Sequence, residues 1–304
     1  MKAILCKSYG PPENLVLEEV QDLKPKEGEA LVEVYAAALN FPDTLQIAGE
    51  YQYQPPLPFS PGSEASGIII ELGPNIKGFE IGDRVMAIPG VGAMAEQVCV
   101  PASGLRKIPK SMNFKTASGF PMVYSTSYYA LKQRANLMPG ETLLVLGASG
   151  GVGVTAVELG KLMGAQVIAG ASSEEKLQFA KKAGADFLVN YSDGDLKTKI
   201  KELTKGKGAD VIYDPVGGDL FDQATRCINW NGRLLVVGFT SGRIPEYKAY
   251  LFGYYQLSLG QVKPHKPIFC NSPNPSRSTS SIVARNSAPS PWYLASERII
   301  LKTV

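Results

Sequence analysis

The chain has 304 residues, enough for two domains that each enclose a hydrophobic core. Hydrophobic residues make up 44% and charged residues 19%, a composition that excludes a predominantly disordered protein. The net charge of +3 is too small to indicate a nucleic-acid or membrane surface as the partner. Four cysteines without any Cys-x-x-Cys pair, at positions 6, 99, 227 and 270, favour reduced thiols and indicate neither a disulfide framework nor a zinc cluster.

The beginning of the chain, MKAILCKSYG, lacks the apolar core and cleavage site of a secretory signal peptide. The one long apolar stretch, residues 143–160, is interrupted by glycines and by Glu158. It therefore predicts a strand and a buried helix and not a membrane span. We expect a cytoplasmic protein.

Short β-rich runs separated by proline and glycine fill residues 1–120. These runs are KAILCK, NLVLEEV, EALVEVYAAAL, ASGIIIELG, DRVMAI and AEQVCV. Many short strands at this spacing predict an antiparallel or barrel-like β domain.

From about residue 140 the chain alternates between strands and helices. The strand candidates are TLLVLG, QVIAGAS, DFLVNY, DVIYDPVG and RLLVVGF. Leu196, Ile200 and Leu203 form one apolar stripe on a helix among them. Nearly continuous apolar strands that alternate with helices predict a parallel sheet covered on both faces. The handedness of parallel crossovers limits this half to a doubly wound sheet, so the predicted fold class is α/β.

The last fifty or so residues have a different composition. No acidic residue lies between Glu246 and Glu297, and residues 264–292 contain six prolines and seven serines. A segment of this kind buries too little apolar surface to fold alone. We therefore treat residues 262–304 as an atypical C-terminal segment, in which ERIILKTV is a candidate closing strand.

The stretch LLVLGASGGVG, residues 143–153, places glycines between an apolar strand and a helix. Their spacing is G-x-x-G-x-x-G rather than the common dinucleotide fingerprint G-x-G-x-x-G, but the position between strand and helix is the same. Glycines let the backbone approach a pyrophosphate, whose charge lies against N–H groups at the helix N-terminus. The alternative is a turn that only packs the helix on the strand. The predicted cofactor contacts are Gly147, Ala148, Ser149, Gly150, Gly151, Val152 and Gly153.

The end of the next strand predicts which dinucleotide binds. NAD sites usually place an Asp or Glu about 20 residues after the glycine loop, to bind the ribose 2′-hydroxyl. Here VIAGASSEEK has Ser172 and Ser173 at that point and Lys176 one helical turn later. The missing carboxylate and the lysine favour NADPH. In the alternative interpretation, Ser172 and Glu175 form a capping box and Lys176 is a solvated surface residue.

Six segments carry a resemblance to a known family. They are LNFPDTLQIAGEY, PPLPFSPGSEASG, MVYSTSYYAL, MPGETLLVLGASGGVG, SSEEKLQFAKKAGADFLVNY and YDPVGGDLF. Together they resemble the quinone oxidoreductases of the zeta-crystallin type, in the medium-chain dehydrogenase/reductase superfamily, from residue 1 to about Glu246.

This resemblance implies a GroES-like β domain over residues 1–122 and a Rossmann NADPH-binding domain over residues 123–261. It places the active site in the cleft between them and implies a homodimer. The implied reaction is the NADPH-dependent reduction of quinones or α,β-unsaturated carbonyl compounds.

The zinc-dependent relatives in the superfamily carry a Cys and a Gly-His-Glu as metal ligands. This chain has Asn-Phe-Pro-Asp at residues 40–43 and Gly-Ser-Glu at residues 62–64 instead. A catalytic zinc needs three N, S or O donors and an open position. The single histidine, His265, lies in the C-terminal segment. We therefore expect chemistry without a metal, in which the cofactor does the hydride transfer.

The family's pattern implies that Asn40, Asp43 and Tyr51 line the substrate side of the nicotinamide. Asn40 and Tyr51 can donate hydrogen bonds to a carbonyl oxygen that gains charge. Asp43 has the alternative role of bracing the loop. Tyr53 is the alternative inward-facing aromatic residue in EYQYQPP.

The same pattern implies four more cofactor contacts. Thr126 lies where the family's chain approaches the cofactor, and Tyr191 where it meets the adenosine phosphate. Phe239 and Ser241 follow the fifth strand and pass the nicotinamide.

Two functions compete on this evidence. One is an active NADPH-dependent reductase. The other is a non-catalytic NADPH-binding or partner-binding variant with a disrupted C-terminus. The family normally continues after GFTSGRIPE through a sixth strand that YKAYLFGYYQLSLG matches poorly.

Overall fold

The computed structural model describes residues 1–247, 258–261 and 299–300. Within the described residues, the chain divides into two compact units, one formed by Met1–Val123 and the other beginning at Tyr124. Most of the predicted C-terminal segment, residues 262–304, lies outside the described residues. Among the described ranges, no helix combines the length and the hydrophobicity that a membrane crossing requires.

Antiparallel strands build the first unit, as predicted. They are β1 (Lys2–Leu5), β2 (Val16–Glu19), β3 (Glu29–Ala38), β4 (Glu64–Leu72), β5 (Arg84–Ala87), β6 (Gln97–Pro101) and β7 (Leu105–Lys107). Five of them form a sheet in the order β6-β3-β4-β5-β7, and β1 pairs with β2. Val32 of β3, Ile69 of β4 and Val85 of β5 are fully buried together in its core.

Two helices of the first unit are α1 (Phe41–Ala48) and α2 (Phe114–Ser118). Helix α1 follows the long strand β3 directly, with Asn40 as its N-cap residue. It ends at Gly49, whose φ of 77° is the left-handed conformation that glycine adopts without strain. The start of α1 therefore brings Asn40 and Asp43 together at the end of β3.

A six-stranded parallel sheet forms the centre of the second unit. Its strands are β8 (Thr142–Val145), β9 (Gln166–Ala171), β10 (Phe187–Asn190), β11 (Ala209–Asp214), β12 (Ile228–Val236) and β14 (Ser258–Gln261). Their order is β10-β9-β8-β11-β12-β14, and all neighbours are parallel. This is the doubly wound order 3-2-1-4-5-6, whose reversal point between β8 and β11 opens a crevice at the carboxyl ends of the strands.

Helices alternate with these strands. They are α3 (Pro121–Tyr128), α4 (Gly151–Leu162), α5 (Glu174–Lys182), α6 (Leu196–Leu203) and α7 (Gly218–Ala224), and a π-helical segment, Tyr129–Arg134, continues α3. Leu143 and Val145 pack into one core and Leu144 into another, so the sheet is buried on both faces as predicted. Of the predicted stripe on α6, Leu196 and Ile200 are fully buried, but Leu203 is 39% exposed at the helix end.

The sixth strand, for which the segment YKAYLFGYYQLSLG gave little signal, is present. Residues Ser258–Gln261 pair in parallel with Arg233–Val236 of β12. The candidate closing strand ERIILKTV contains Ile299–Ile300, which form β15 and pair antiparallel with β13 (Glu246–Tyr247). The return of the chain to the β domain remains a prediction.

A half-buried ion pair ties β12 to the start of β8. Arg233 Nη1 and Nη2 donate to Glu141 Oε1 and Oε2 at 2.8 and 2.6 Å, and Arg233 Nε donates to the carbonyl of Ala135 at 3.0 Å. Burial raises the pKa of Glu141, but Arg233 and the Met138 N–H more than offset it, so this pKa lies below its usual value. The paired carboxylate is therefore the stable form in the folded protein.

We expect Glu141→Gln to lower the free energy of unfolding at pH 7 by about 1–2 kcal/mol, because it weakens a charge-assisted bidentate contact. The contribution of Glu141 is present above its unfolded pKa and is lost as the pH falls through the lower folded pKa. The difference between wild type and variant in urea unfolding should therefore shrink below about pH 4. Lys7→Gln, at the exposed pair with Glu18, is the control and should change stability little.

Candidate active site

The N-terminus of α1 holds the first group of predicted residues. The backbone N–H of Asn40 donates to Asp43 Oδ2 at 2.7 Å, and the N–H of Asp43 donates to the carbonyl of Asn40 at 3.0 Å. Asp43 therefore does brace the turn, the alternative role that the sequence left open. A carboxylate in the first helical turn also interacts favourably with the helix dipole.

The carboxyl group of Asp43 is buried, and this changes its pKa. It is 1% exposed, and its Oδ1 has no hydrogen-bond partner among the described residues. Burial raises the pKa of Asp43. The Asn40 backbone N–H, which donates to the carboxylate, opposes that shift. Ser63 lies nearby and also lowers the pKa, although its hydroxyl makes no hydrogen bond of normal geometry to the carboxylate.

The charge of Asp43 affects the pKa of Tyr51. Burial raises the pKa of the Tyr51 hydroxyl, and the Asp43 carboxylate raises it further. Tyr53, by contrast, is 58% exposed. Of the two aromatic residues in the loop, Tyr51 is thus the one close to Asp43. The Tyr51 hydroxyl is protonated at neutral pH, as any tyrosine is, and can act as a hydrogen-bond donor.

Glu64 is a buried carboxyl group that sequence reasoning did not identify as a site residue. It is 0% exposed at the start of β4, and it accepts hydrogen bonds from Asn40 Nδ2 at 2.9 Å and from the Met122 N–H at 2.8 Å. Burial raises the pKa of Glu64 to about 7, although both hydrogen bonds lower it. Glu64 fixes one N–H of the Asn40 amide and leaves the second for another acceptor.

The glycine loop of the second unit passes a steric test for a dinucleotide cradle. A Cβ on Gly153 would lie 2.1 Å from the carbonyl oxygen of Gly147 and 2.9 Å from Ala148 Cα. Gly147 itself has a φ of +57°. Only glycine permits this close approach of helix and loop, as the third glycine of a dinucleotide loop requires.

The start of α4 offers N–H groups without a side-chain cap. Its N-cap residue is Gly150, which is exposed together with Gly151 and has no side chain to accept a hydrogen bond. The first N–H groups of a helix have no intrahelical acceptor, and they carry the positive end of the dipole. Gly151, Val152 and Gly153 therefore present N–H groups that suit a pyrophosphate.

The remaining loop residues have different surroundings. Ala148 is fully buried in the core, and its N–H donates to the carbonyl of Gly170 at 3.0 Å. Ser149 is half-buried at the turn. The Ala148 N–H is thus already hydrogen-bonded within the protein, whereas the start of α4 is open to a ligand.

The end of β9 carries the residues predicted to select the cofactor. Lys176 Nζ donates to Ser172 Oγ at 3.0 Å, and both residues are exposed. The N-cap of α5 is Ser173, whose side chain accepts from the Lys176 N–H at 3.4 Å, so the alternative capping box of Ser172 with Glu175 is wrong. Ser172 is free of that capping role and lies beside an ammonium group.

Tyr191 and Asp214 border the same loop. Burial raises the pKa of Tyr191, the Gly147 backbone amide opposes the shift, and Asp214 adds to it. The Tyr191 ring also lies against Gly170, where a Cβ would come within 3.3 Å of it. The predicted contact Tyr191 is therefore close to the glycine loop.

Asp214, at the end of β11, was not predicted as a site residue. It is 0% exposed, its Oδ1 accepts from the Val216 and Gly217 N–H groups at 2.8 and 2.9 Å, and its Oδ2 has no partner among the described residues. Burial raises the pKa of Asp214 to about 6. The signal in the sequence was an Asp before Pro-Val-Gly-Gly at the end of an apolar strand, which is typical of a side chain that holds a turn.

Phe239 and Ser241 lie against the turn that Asp214 holds. A Cβ on Gly217 would meet Phe239 Cδ1 at 2.9 Å, and one on Gly218 would meet Ser241 Oγ at 2.7 Å. Thr126 is half-buried on α3. The roles of all three in cofactor binding remain predictions.

Within the described ranges, no group of three or more His, Cys, Asp or Glu side chains is arranged to hold a metal ion. Around Asn40 the donors are one amide, two carboxyl groups at 43 and 64, and the hydroxyl of Ser63. These are hydrogen-bonding groups for an organic ligand rather than the N and S donors that zinc prefers.

Two protein families match parts of the chain. Residues 26–110 match the alcohol dehydrogenase GroES-like domain, and residues 151–264 match the zinc-binding dehydrogenase family. The first match covers the antiparallel sheet and α1, and the second begins at α4.

Individual relatives are similar over most of the chain. A quinone oxidoreductase-like protein 2 homolog of Nematostella vectensis is 42% identical over 253 residues, 82% of this chain and 68% of that protein. A 2-haloacrylate reductase of Burkholderia sp is 34% identical over 250 residues, 80% of this chain and 74% of that protein. The crystal structure of an Escherichia coli quinone oxidoreductase complexed with NADPH superposes with a TM-score of 0.81 at 32% identity, over 87% of this chain and 81% of that one.

Proposed function

We propose that this chain, which belongs to the quinone oxidoreductase type of the medium-chain dehydrogenase/reductase family, transfers a hydride from NADPH to a quinone or an α,β-unsaturated carbonyl compound without a metal. One observation carries the choice of cofactor: the first residue after β9 is Ser172, whose Oγ lies 3.0 Å from the Lys176 ammonium, and not a carboxylate. The structural relative complexed with NADPH supports this choice.

The second unit supplies the residues that would hold NADPH. The N–H groups of Gly151–Gly153 suit the pyrophosphate, and Ser172 and Lys176 suit the 2′-phosphate. Tyr191 lies beside Gly147 of the glycine loop and Gly170 of β9. When bound, NADPH supplies the hydride, and the protein contributes orientation and polarity.

The first unit supplies the residues that would polarise the substrate. Quinones and enones both carry a carbonyl oxygen conjugated to a C=C bond, and hydride addition to the carbon end moves negative charge onto that oxygen. The free N–H of Asn40 and the hydroxyl of Tyr51 are the proposed donors to it. Burial and the Asp43 carboxylate raise the pKa of Tyr51, and Glu64 orients Asn40.

The names of the relatives support both substrate classes. They include a quinone oxidoreductase 1 of Escherichia coli and the reductase of 2-haloacrylate, an α,β-unsaturated acid. Initial rates of NADPH oxidation with 1,4-benzoquinone and with an aliphatic enal test the proposal. NADPH binding without turnover of either compound would favour the non-catalytic alternative, and size-exclusion chromatography with light scattering would test the proposed homodimer.

We expect Tyr51→Phe to lower kcat about tenfold while NADPH binding changes less than twofold, because only the donor to the substrate oxygen is lost. The effect should be smaller than the 10²–10³ typical of an oxyanion-hole donor, since Asn40 keeps its N–H. Tyr53→Phe is the matched control in the same loop and should leave kcat unchanged, because that side chain is 58% exposed. Equal kcat for wild type and Tyr51→Phe would remove Tyr51 from the reaction.

A further inference from the structure

Three buried hydroxyl groups meet beneath the glycine loop. Ser127 Oγ on α3 lies 2.8 Å from Thr155 Oγ1 on α4 and 2.9 Å from the Tyr213 hydroxyl on β11. It also donates to the carbonyl of Val152 at 2.9 Å. Ser127 and Tyr213 are 0% exposed and Thr155 is 3% exposed. We call Ser127, Thr155 and Tyr213 the hydroxyl cluster.

Two hydroxyls of the cluster face one carbonyl oxygen. Ser127 Oγ lies 2.9 Å and Thr155 Oγ1 3.1 Å from the carbonyl oxygen of Val152, and Ser127 is also within hydrogen-bond distance of Thr155 and Tyr213. Each hydroxyl has one hydrogen, so one of them donates to the carbonyl and the others complete the chain. Chains of this kind polarise one another, so each bond strengthens the next. The cluster thus ends on a peptide carbonyl in the first turn of α4.

That carbonyl belongs to a peptide unit with a proposed role in cofactor binding. The C=O of Val152 and the N–H of Gly153 lie in one planar group, so holding the oxygen fixes the direction of the N–H. Thr155 Oγ1 also reaches the carbonyl of Gly151 at 3.2 Å, and this peptide carries the N–H of Val152. Because Thr155 has a single hydrogen, the peptide that the cluster secures is Val152–Gly153, which carries one of the N–H groups that suit a pyrophosphate.

We propose that Ser127 is a positioning residue for NADPH: with Thr155 and Tyr213 it holds the Val152–Gly153 peptide unit of α4 in the orientation that binds the pyrophosphate. The residue before it, Thr126, is itself a predicted cofactor contact on α3. The contacts of Ser127 thus link α3, β11 and the start of α4. This inference rests on the proposed binding of NADPH to the glycine loop.

The test measures dissociation constants by fluorescence titration in wild type and in Ser127→Ala. We expect NADPH to bind about threefold to tenfold more weakly in the variant, the effect of one lost buried hydrogen bond. Adenosine 2′-monophosphate, which lacks the pyrophosphate, should bind equally to both proteins. Thr155→Val should resemble Ser127→Ala, and Thr155→Ser, which keeps the hydroxyl, should bind NADPH as wild type does.

Ser66→Ala is the matched control for lost stability. Ser66 is also 0% exposed, and its Oγ donates across elements to the carbonyl of Phe114 at 2.6 Å, but it lies in the first unit. It should lower the thermal midpoint to a similar extent with no change in NADPH affinity.

Wild-type affinity for NADPH in Ser127→Ala would overturn the inference while leaving the proposed function intact. An equal loss of affinity for adenosine 2′-monophosphate would also overturn it, because that result indicates general loosening of the unit. A wild-type chain that binds no NADPH overturns the proposed function, and the inference with it.

Discussion

Replacing Gly153 with alanine is expected to weaken NADPH binding about 5- to 150-fold. The added Cβ would lie 2.1 Å from the carbonyl oxygen of Gly147 and 2.9 Å from Ala148 Cα. Both are backbone atoms, so the loop and α4 must move apart. Overpacking of this kind costs about 1–3 kcal/mol, and every 1.4 kcal/mol is tenfold in affinity. Titration of NADPH by fluorescence measures the change.

Two further glycine variants separate a loss of binding from a loss of folding. A Cβ on Gly150 would come no closer than 3.4 Å to another atom, so Gly150→Ala should fold normally and weaken NADPH only by occupying the exposed tip of the loop. Gly119→Ala, where the nearest atom would be 3.8 Å away in the first unit, should change neither property. Unimpaired NADPH binding by Gly153→Ala would mean that the loop does not hold the pyrophosphate.

The alternation of strands and helices could be read directly from the sequence because burial imposes a period. Strands such as Leu143–Val145 are buried on both faces and are therefore continuously apolar, and Leu196 and Ile200 recur at helical spacing. Glycines with steric reasons, such as Gly153, also leave a local signal. Features that depend on residues close in the chain could thus be predicted from the sequence.

Features that depend on partners far away in the chain could not be predicted from the sequence. The short strand β7 and the sixth strand β14 owe their existence to pairing with β5 and β12 and have little pattern of their own. The helix cap fell on Ser173 rather than on Ser172, since two adjacent serines offer the same chemistry. The sequence placed Glu64 and Asp214 within motifs, but only the fold reveals that both carboxyl groups are fully buried.

Replacing Lys176 with alanine is expected to weaken NADPH binding about tenfold to a hundredfold and to leave NADH binding nearly unchanged. The Lys176 ammonium lies 3.0 Å from Ser172 Oγ at the end of β9, where NAD-binding sites place a carboxylate. Among the described residues it forms no ion pair with an acidic side chain. A hydrogen bond to a charged group contributes about 1.5–3 kcal/mol, which corresponds to that loss of affinity.

The helix that carries Lys176 supplies its own control. Lys181 is exposed in the last turn of α5, away from β9, so Lys181→Ala removes the same charge without removing the contact. Titration of both cofactors against wild type and the two variants should show a loss confined to NADPH and to Lys176→Ala. Because the interaction is between charges near the surface, the loss should also diminish at high salt. If the wild-type protein binds NADH as tightly as NADPH, the end of β9 does not recognise a 2′-phosphate and the choice of cofactor is wrong.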